Sequence, residues 1–259
     1  MKTLQQSIYD FPKYYDLVYG SDWRAECIFL KRCFEKYADG IVHELFEPAC
    51  GTGRLLNRFG KKGYSVAGID LNQKAVDFCN RRLAKRKIEG RAFVGDMTDF
   101  EVDHPYDAAF NTINSFRHLT THDGSVGHLN AMAGAIRSGG IYVLGLHLTP
   151  TAIAPSEDES WVAAGRDLQV NTRMWLTDRN LEDRHEKFNI EFEIYTPARF
   201  FRIRDELIFR TYTAPQFDEL IREASLWDVV GIHDFAYQID SPVQVTDRSE
   251  DIVYVLRRK

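Results

Sequence analysis

A strand, a glycine-rich turn and a helix in immediate succession constrain this chain more than any other stretch. His43-Glu44-Leu45-Phe46 is extended in character, and Glu47-Pro48-Ala49-Cys50-Gly51-Thr52-Gly53-Arg54 is the turn. Leu55-Leu56-Asn57-Arg58-Phe59 follows with apolar spacing that suits a helix. Glycines let a backbone bend tightly and approach a ligand where a Cβ would collide, so this is a phosphate- or nucleoside-binding arrangement. Tyr64-Ser65-Val66-Ala67-Gly68-Ile69 reads as a second strand ending in Asp70. An acid there can accept hydrogen bonds from both hydroxyls of a ribose; its plainer role is to cap the helix beginning near Asn72.

The pattern around the turn repeats. Residues 43–49, 64–70, 91–95, 106–112 and 140–147 read as strands, with helical segments near 53–61, 73–87 and 125–137 and an earlier helix over 22–38. Strands alternating with helices predict a parallel sheet with right-handed crossovers, which binds ligands beyond the carboxyl ends of its strands. Glu47, Asp70, Asp96 and Asn111 all fall at strand ends or just after them. Beyond Pro150 a polar connector at 154–160 leads into runs at 168–177, 185–195 and 199–211. Their period-two alternation (Phe188, Ile190, Phe192 and Ile194 against Lys187, Asn189, Glu191 and Glu193) predicts antiparallel strands. Thr213-Ala214-Pro215-Gln216 has the form of a capping box, and 227–238 and 251–258 supply two last strands.

The expected fold is therefore α/β: a Rossmann-like, seven-stranded, mostly parallel sheet flanked by helices, with an antiparallel β insertion after strand five. The corresponding regions are 1–40 (an N-terminal helical cap), 41–150 (a cofactor-binding core), 151–211 (the inserted flap) and 212–259 (the rest of the core sheet).

Four segments in this order resemble the class I S-adenosylmethionine-dependent methyltransferases. Glu47-x-Ala49-x-Gly51-x-Gly53 is similar to their first motif, Asp70 to their ribose-binding acid, and Gly95-Asp96-Met97 to the segment beside the adenine. Asn111-Thr112-Ile113-Asn114-Ser115-Phe116-Arg117-His118-Leu119 is similar to the segment after strand four in small-molecule N-methylating members, of the glycine, sarcosine and sugar-amine types. The resemblance covers about residues 9–150. It implies S-adenosyl-L-methionine as cofactor, S-adenosyl-L-homocysteine as product, and a small-molecule acceptor, expected to react at an amine nitrogen. It further implies cofactor contacts from Tyr15, Arg24, Glu47, Ala49, Gly51, Gly53, Asp70, Leu71, Asp96, Met97 and Asn111. Tyr19, Asn114 and His118 fall on the reacting side, where Asn114 could bind an acceptor hydroxyl or carboxylate and His118 could orient the sulfonium or take a proton. Plainer roles stand beside these: a turn acid for Asp96, core filling for Met97, a turn cap for His118. O-methylation and a catalytically idle cofactor-binding protein stay open as alternatives.

A nicotinamide-dependent oxidoreductase would place a third glycine where Leu56 stands. A nucleic-acid or protein N-methyltransferase would show an Asn/Asp-Pro-Pro-Tyr segment in place of Asn111-Thr112-Ile113-Asn114. A formal net charge of −5 gives no bulk attraction to nucleic acid. The four cysteines show neither metal-ligand nor disulfide spacing, and no apolar run approaches membrane-spanning length. The expectation is a cytoplasmic enzyme without metal, nucleic-acid or membrane partners. The inserted sheet offers edges through which a homodimer could form.

Overall fold

The computed structural model describes residues 2–20, 23–155 and 157–259. Met1, Ser21, Asp22 (the expected start of a helix) and Ser156 in the polar connector lie outside the described residues. In chain order the elements begin with β1 (Lys2–Gln5), α1 (Pro12–Tyr19), α2 (Arg24–Tyr37), β2 (Glu44–Pro48), α3 (Arg54–Gly60) and β3 (Ser65–Asp70). They continue with α4 (Gln73–Lys85), β4 (Gly90–Val94), β5 (Tyr106–Asn111), α5 (His122–Ala135) and β6 (Ile136–His147). The second half holds β7 (Asp158–Ala164), β8 (Gln169–Asn180), β9 (His185–Thr196), β10 (Arg199–Arg210), α6 (Ala214–Ala224), β11 (Trp227–Asp234) and β12 (Asp251–Arg258).

Seven strands make one sheet in the order β11-β12-β6-β5-β2-β3-β4. The five from β2 to β6 run parallel, and β12 and β11 close the far edge antiparallel. Each face is covered by an apolar cluster. Phe46, Leu144 and Tyr254 lie in one, packed with α5 and α6; Leu45, Val143 and Val255 lie in the other, packed with α2 and α3. Local chemistry sets the helix starts. Asn72 caps α4 by accepting from the backbone of Lys74 and Ala75, and Ala75, Val76, Cys79 and Leu83 bury its inner face. Thr213 and Gln216 form the capping box of α6, with Thr213 N donating to Gln216 Oε1 at 3.0 Å.

The insertion is larger than the three expected runs. It is a five-stranded sheet, β1-β10-β9-β8-β7, which adds β7 on one edge and β1, from the other end of the chain, on the opposite edge. The N-terminal segment is therefore not helical throughout: Lys2 pairs with Phe201 in parallel register. One face of this sheet buries Ile190, Phe192, Ile194 and Ile203 against Ile8, Tyr14 and Val18. Its other face carries Arg202 paired with Glu193 and Arg204 paired with Glu191. Helix α1 packs on β7 and β8 and touches α4, so it bridges the two sheets.

Candidate active site

The glycine turn leaves β2 with Ala49 at φ 51°, Gly51 at φ 52° and Gly53 at φ 66°, a run of left-handed residues that reverses the chain in very few steps. A Cβ on Gly53 would stand 2.2 Å from Cys79 Sγ, so glycine is what lets the start of α3 lie against α4. A Cβ on Gly51 would project between the Tyr15 ring (3.8 Å) and Asp70 Oδ2 (4.0 Å). Asp70 is locked in place by two backbone donors, Gly51 N to Oδ2 and Asn72 N to Oδ1, each at 2.8 Å. Burial raises its carboxyl above the usual range, and those two N–H groups pull it back. Each oxygen keeps a further lone pair for a ligand hydroxyl.

A cavity of about 540 Å³ opens above this turn, at the carboxyl ends of β2, β3 and β5. Ala49, Gly51, Asp70, Leu71 and Met97 line its parallel-sheet side, while Trp161, Met174, Leu207 and Phe209 of the inserted sheet line the opposite side. The leader fills the gap between them. Asp16 accepts from Thr52 Oγ1 at 2.8 Å and pairs with Arg82, which fixes α1 over the glycine turn. From there the rings form a chain: Tyr9 to Tyr15 at 5.4 Å between centroids, Tyr15 to Tyr19 at 4.6 Å, Tyr19 to Trp161 at 6.0 Å. Burial pushes all three tyrosine hydroxyls upward, so they stay protonated.

After β5 the chain turns through Asn114 at φ 55° into a short 3-10 turn, Ser115–His118. Asn114 Oδ1 accepts from His147 N at 3.1 Å, and both residues line the cavity. His118 Nε2 is 2.8 Å from Tyr9 Oη, and the imidazole lies 4.7 Å from the Phe209 ring. Burial, with the Arg117 charge adding to it, lowers the His118 pKa to about 4, so its ring is neutral at ordinary pH. Arg117 itself points away from the cavity floor. It is buried, donates through Nε to the Arg210 carbonyl and pairs with buried Glu186, joining the 3-10 turn to the inserted sheet.

Other expected site residues stand elsewhere. Asp96 is exposed beside the cavity, and its Oδ1 accepts from Thr98 N and Oγ1, each at 2.8 Å, in the turn role. Asn111 is buried and braces β2 by donating to the Pro48 carbonyl at 3.0 Å. Arg24 is exposed on α2, near Trp23. The guanidinium beneath the turn belongs to Arg54, paired with Glu26, which also accepts from Thr112. Glu47 lies near them; its Oε2 is buried without a partner among the described residues, and burial pushes its carboxyl well above the usual range.

Residues 46–140 match the family described as Methyltransferase domain. The chain carries a methyltransferase domain and resembles the class I S-adenosylmethionine-dependent methyltransferases. It is 25% identical over 196 residues to the dTDP-3-amino-3,4,6-trideoxy-alpha-D-glucopyranose N,N-dimethyltransferase of Streptomyces venezuelae, covering 73% of this chain and 78% of that protein. It is 23% identical over 223 residues to the dTDP-4-amino-2,3,4,6-tetradeoxy-D-glucose N,N-dimethyltransferase of Saccharopolyspora spinosa, covering 84% and 85% respectively. The fold is shared with the amino pentose methyltransferase CalS10 of Micromonospora echinaspora, at a TM-score of 0.74, 17% identity and full coverage of both chains. Among the described residues, no helix of this methyltransferase is long and apolar enough to cross a membrane.

The residues around the turn fit the methyl donor of this family. The space over Gly51 is one that a Cβ would fill, and Asp70 stands beside it with acceptor capacity left. Leu71 is 71% exposed and Ile113 38% exposed, an apolar pair on the cavity that a flat adenine would cover. Sequence reasoning passed over Tyr9, Ile113 and Phe209 as site residues; their place on the cavity depends on which way each side chain faces once the two sheets meet.

Proposed function

We propose that this methyltransferase transfers the methyl group of S-adenosylmethionine to an amine nitrogen of a small molecule, with amino-deoxysugars the first acceptor class to try. The observation that carries the reading is one continuous cavity. The glycine turn and Asp70 form one end of it, and the Asn114–His118 segment faces an aromatic wall at the other. The N,N-dimethylation named for two relatives supports nitrogen as the acceptor atom.

When bound, S-adenosylmethionine supplies a methyl already activated by a positive sulfur. Little acid–base work is then left to the chain, whose task is to align the acceptor and exclude water. Asp70 would hold the ribose, the backbone about Gly51 the amino-acid end, and Leu71, Met97 and Ile113 the adenine. Tyr15, Tyr19 and Trp161 close the cavity from the side of the inserted sheet. Neutral His118, held by Tyr9, serves as a hydrogen-bonding and shape element; with a pKa near 4 it is a poor base for an ammonium. Asn114, fixed by His147 N, presents an amide to the acceptor.

Incubation with S-adenosylmethionine and a panel of amino sugars, glycine, sarcosine and hydroxyl analogues, read by mass spectrometry, tests this. Methylation of amines but not of their hydroxyl analogues is expected. Methylation of hydroxyls alone would replace this reading with O-methylation.

A further inference from the structure

The charges around the cavity narrow the acceptor further, on the assumption that the amine-methylation reading holds. Among the described residues that line the cavity, Asp70 and Glu159 carry formal charge, and no lysine or arginine does. Among the described residues, the basic side chains closest to the cavity have other partners. Arg117 and Arg179 flank Glu186. His147 Nδ1 lies 2.6 Å from Asp251. Arg173, Arg202 and Arg204 belong to the other face of the inserted sheet, where Arg202 and Arg204 meet Glu191 and Glu193. Those arginines cannot serve an anionic acceptor in the cavity.

Glu159 has no such partner. In β7 the alternation puts Glu159, Trp161 and Ala163 on one face, and Ala163 is buried in the core beneath that face. Register places Glu159 directly opposite Met174, which also lines the cavity. The carboxylate has neither an ion-pair nor a hydrogen-bond partner among the described residues, and its charge reaches the Tyr19 hydroxyl. An unpaired carboxylate beside the rings of Tyr19 and Trp161 is a poor neighbour for an anion and a good one for an ammonium, which gains from the charge and from the ring faces. A phosphate or carboxylate entering there would meet like charge, and Arg117 and Arg179, which line the adjoining pocket, are held by Glu186.

We propose that Glu159, with Tyr19 and Trp161, is the acceptor-side cation site, and that the acceptor is an amine bringing no phosphate or carboxylate into the cavity. The enzyme thus differs in acceptor charge from relatives named for dTDP-linked sugars.

The test uses the full chain saturated with S-adenosylhomocysteine, with glucosamine and glucosamine phosphate as probes and binding read by tryptophan fluorescence. Wild type is expected to bind glucosamine about tenfold more tightly than its phosphate, the scale of an exposed ion contact and a ring contact together. Glu159→Gln should narrow that ratio to about twofold with S-adenosylhomocysteine affinity unchanged, and Glu159→Lys should invert it. Equal or tighter binding of the phosphate by wild type, an unchanged ratio in Glu159→Gln, or no measurable glucosamine binding would each overturn the proposal. Because binding is read without turnover, absence of methylation on any amine would count against the amine-methylation reading alone.

Discussion

Where the parallel sheet meets the cavity, contact is made largely by main chain and by residues fixed to it; across the gap, the antiparallel sheet meets it with side chains. Gly51, Gly53 and the N–H groups holding Asp70 belong to a turn whose shape admits few alternatives. Trp161, Met174 and Phe209 lie on strands where any residue of suitable size and the same parity could stand. One wall is thus specified by backbone conformation and the other by facing. The first suits a constant ligand, the second one that differs from enzyme to enzyme.

The largest effect is expected where the two walls are tied together. Glu186→Ala leaves Arg117 buried without its partner, which should cost about 3–5 kcal/mol in urea unfolding. A loss under about 1 kcal/mol would mean that the walls are joined by apolar packing alone. Acid should act next, and on the core side. His128 is fully buried between the Met97 carbonyl and Tyr142 Oη, and its pKa falls to about 4, with burial the leading cause. The unfolded chain takes up this proton near pH 6.5 while the folded one resists until about 4. Stability is therefore complete above about pH 6.5 and should drop by about 3 kcal/mol as pH falls through that window. His128→Gln should remove this contribution and leave the one that His118, also lowered to about 4, makes over the same window.

Two smaller changes separate the walls directly. Asp70→Ala should weaken S-adenosylhomocysteine binding by roughly 1–3 kcal/mol in calorimetry, the scale of lost hydrogen bonds to a charged group. Nicotinamide dinucleotide should not bind in its place; tighter binding of that cofactor would overturn the assignment of the turn. Trp161→Ala should raise the acceptor KM by about tenfold, near 1.4 kcal/mol, and leave S-adenosylhomocysteine affinity within about twofold. Equal losses for cofactor and acceptor would erase the distinction between the walls.

The same contrast explains what could be read in the sequence. Strands β2 to β5 and helices α3 and α4 stand close to where periodicity and glycines put them, because their signals are local. Strand β6 begins at Ile136 instead of 140, since α5 runs straight into it without a breaker. Strands β1 and β7 escaped notice: Lys-Thr-Leu-Gln is short and polar, and its strand form depends on β10, far along the chain. Alternation alone leaves Trp161, Arg173 and Trp175 each able to reach the mouth; the structure puts Trp161 on the cavity and Arg173 and Trp175, with Arg204, on the far face. Arg24 entered the cofactor set through the family resemblance alone, and on α2 it is exposed to solvent. Replacing the insertion with a linker cannot isolate its role. Ile8 and Val18 are buried against it, so the leader over the glycine turn would lose its support.

The pairing of β1 with β10 also imposes an order of events on biosynthesis. Lys2–Gln5 is synthesised well before the strand it completes, Arg199–Arg210. At ordinary translation speeds the leader waits on the order of tens of seconds for its partner. During that interval Ile8 and Val18, whose cover comes largely from the inserted sheet, have no native burial site, while the glycine turn and its neighbouring strands can already assemble. The nascent enzyme would therefore pass through a stage with a formed nucleoside cradle and no acceptor wall, and its aromatic leader would be the segment a chaperone meets.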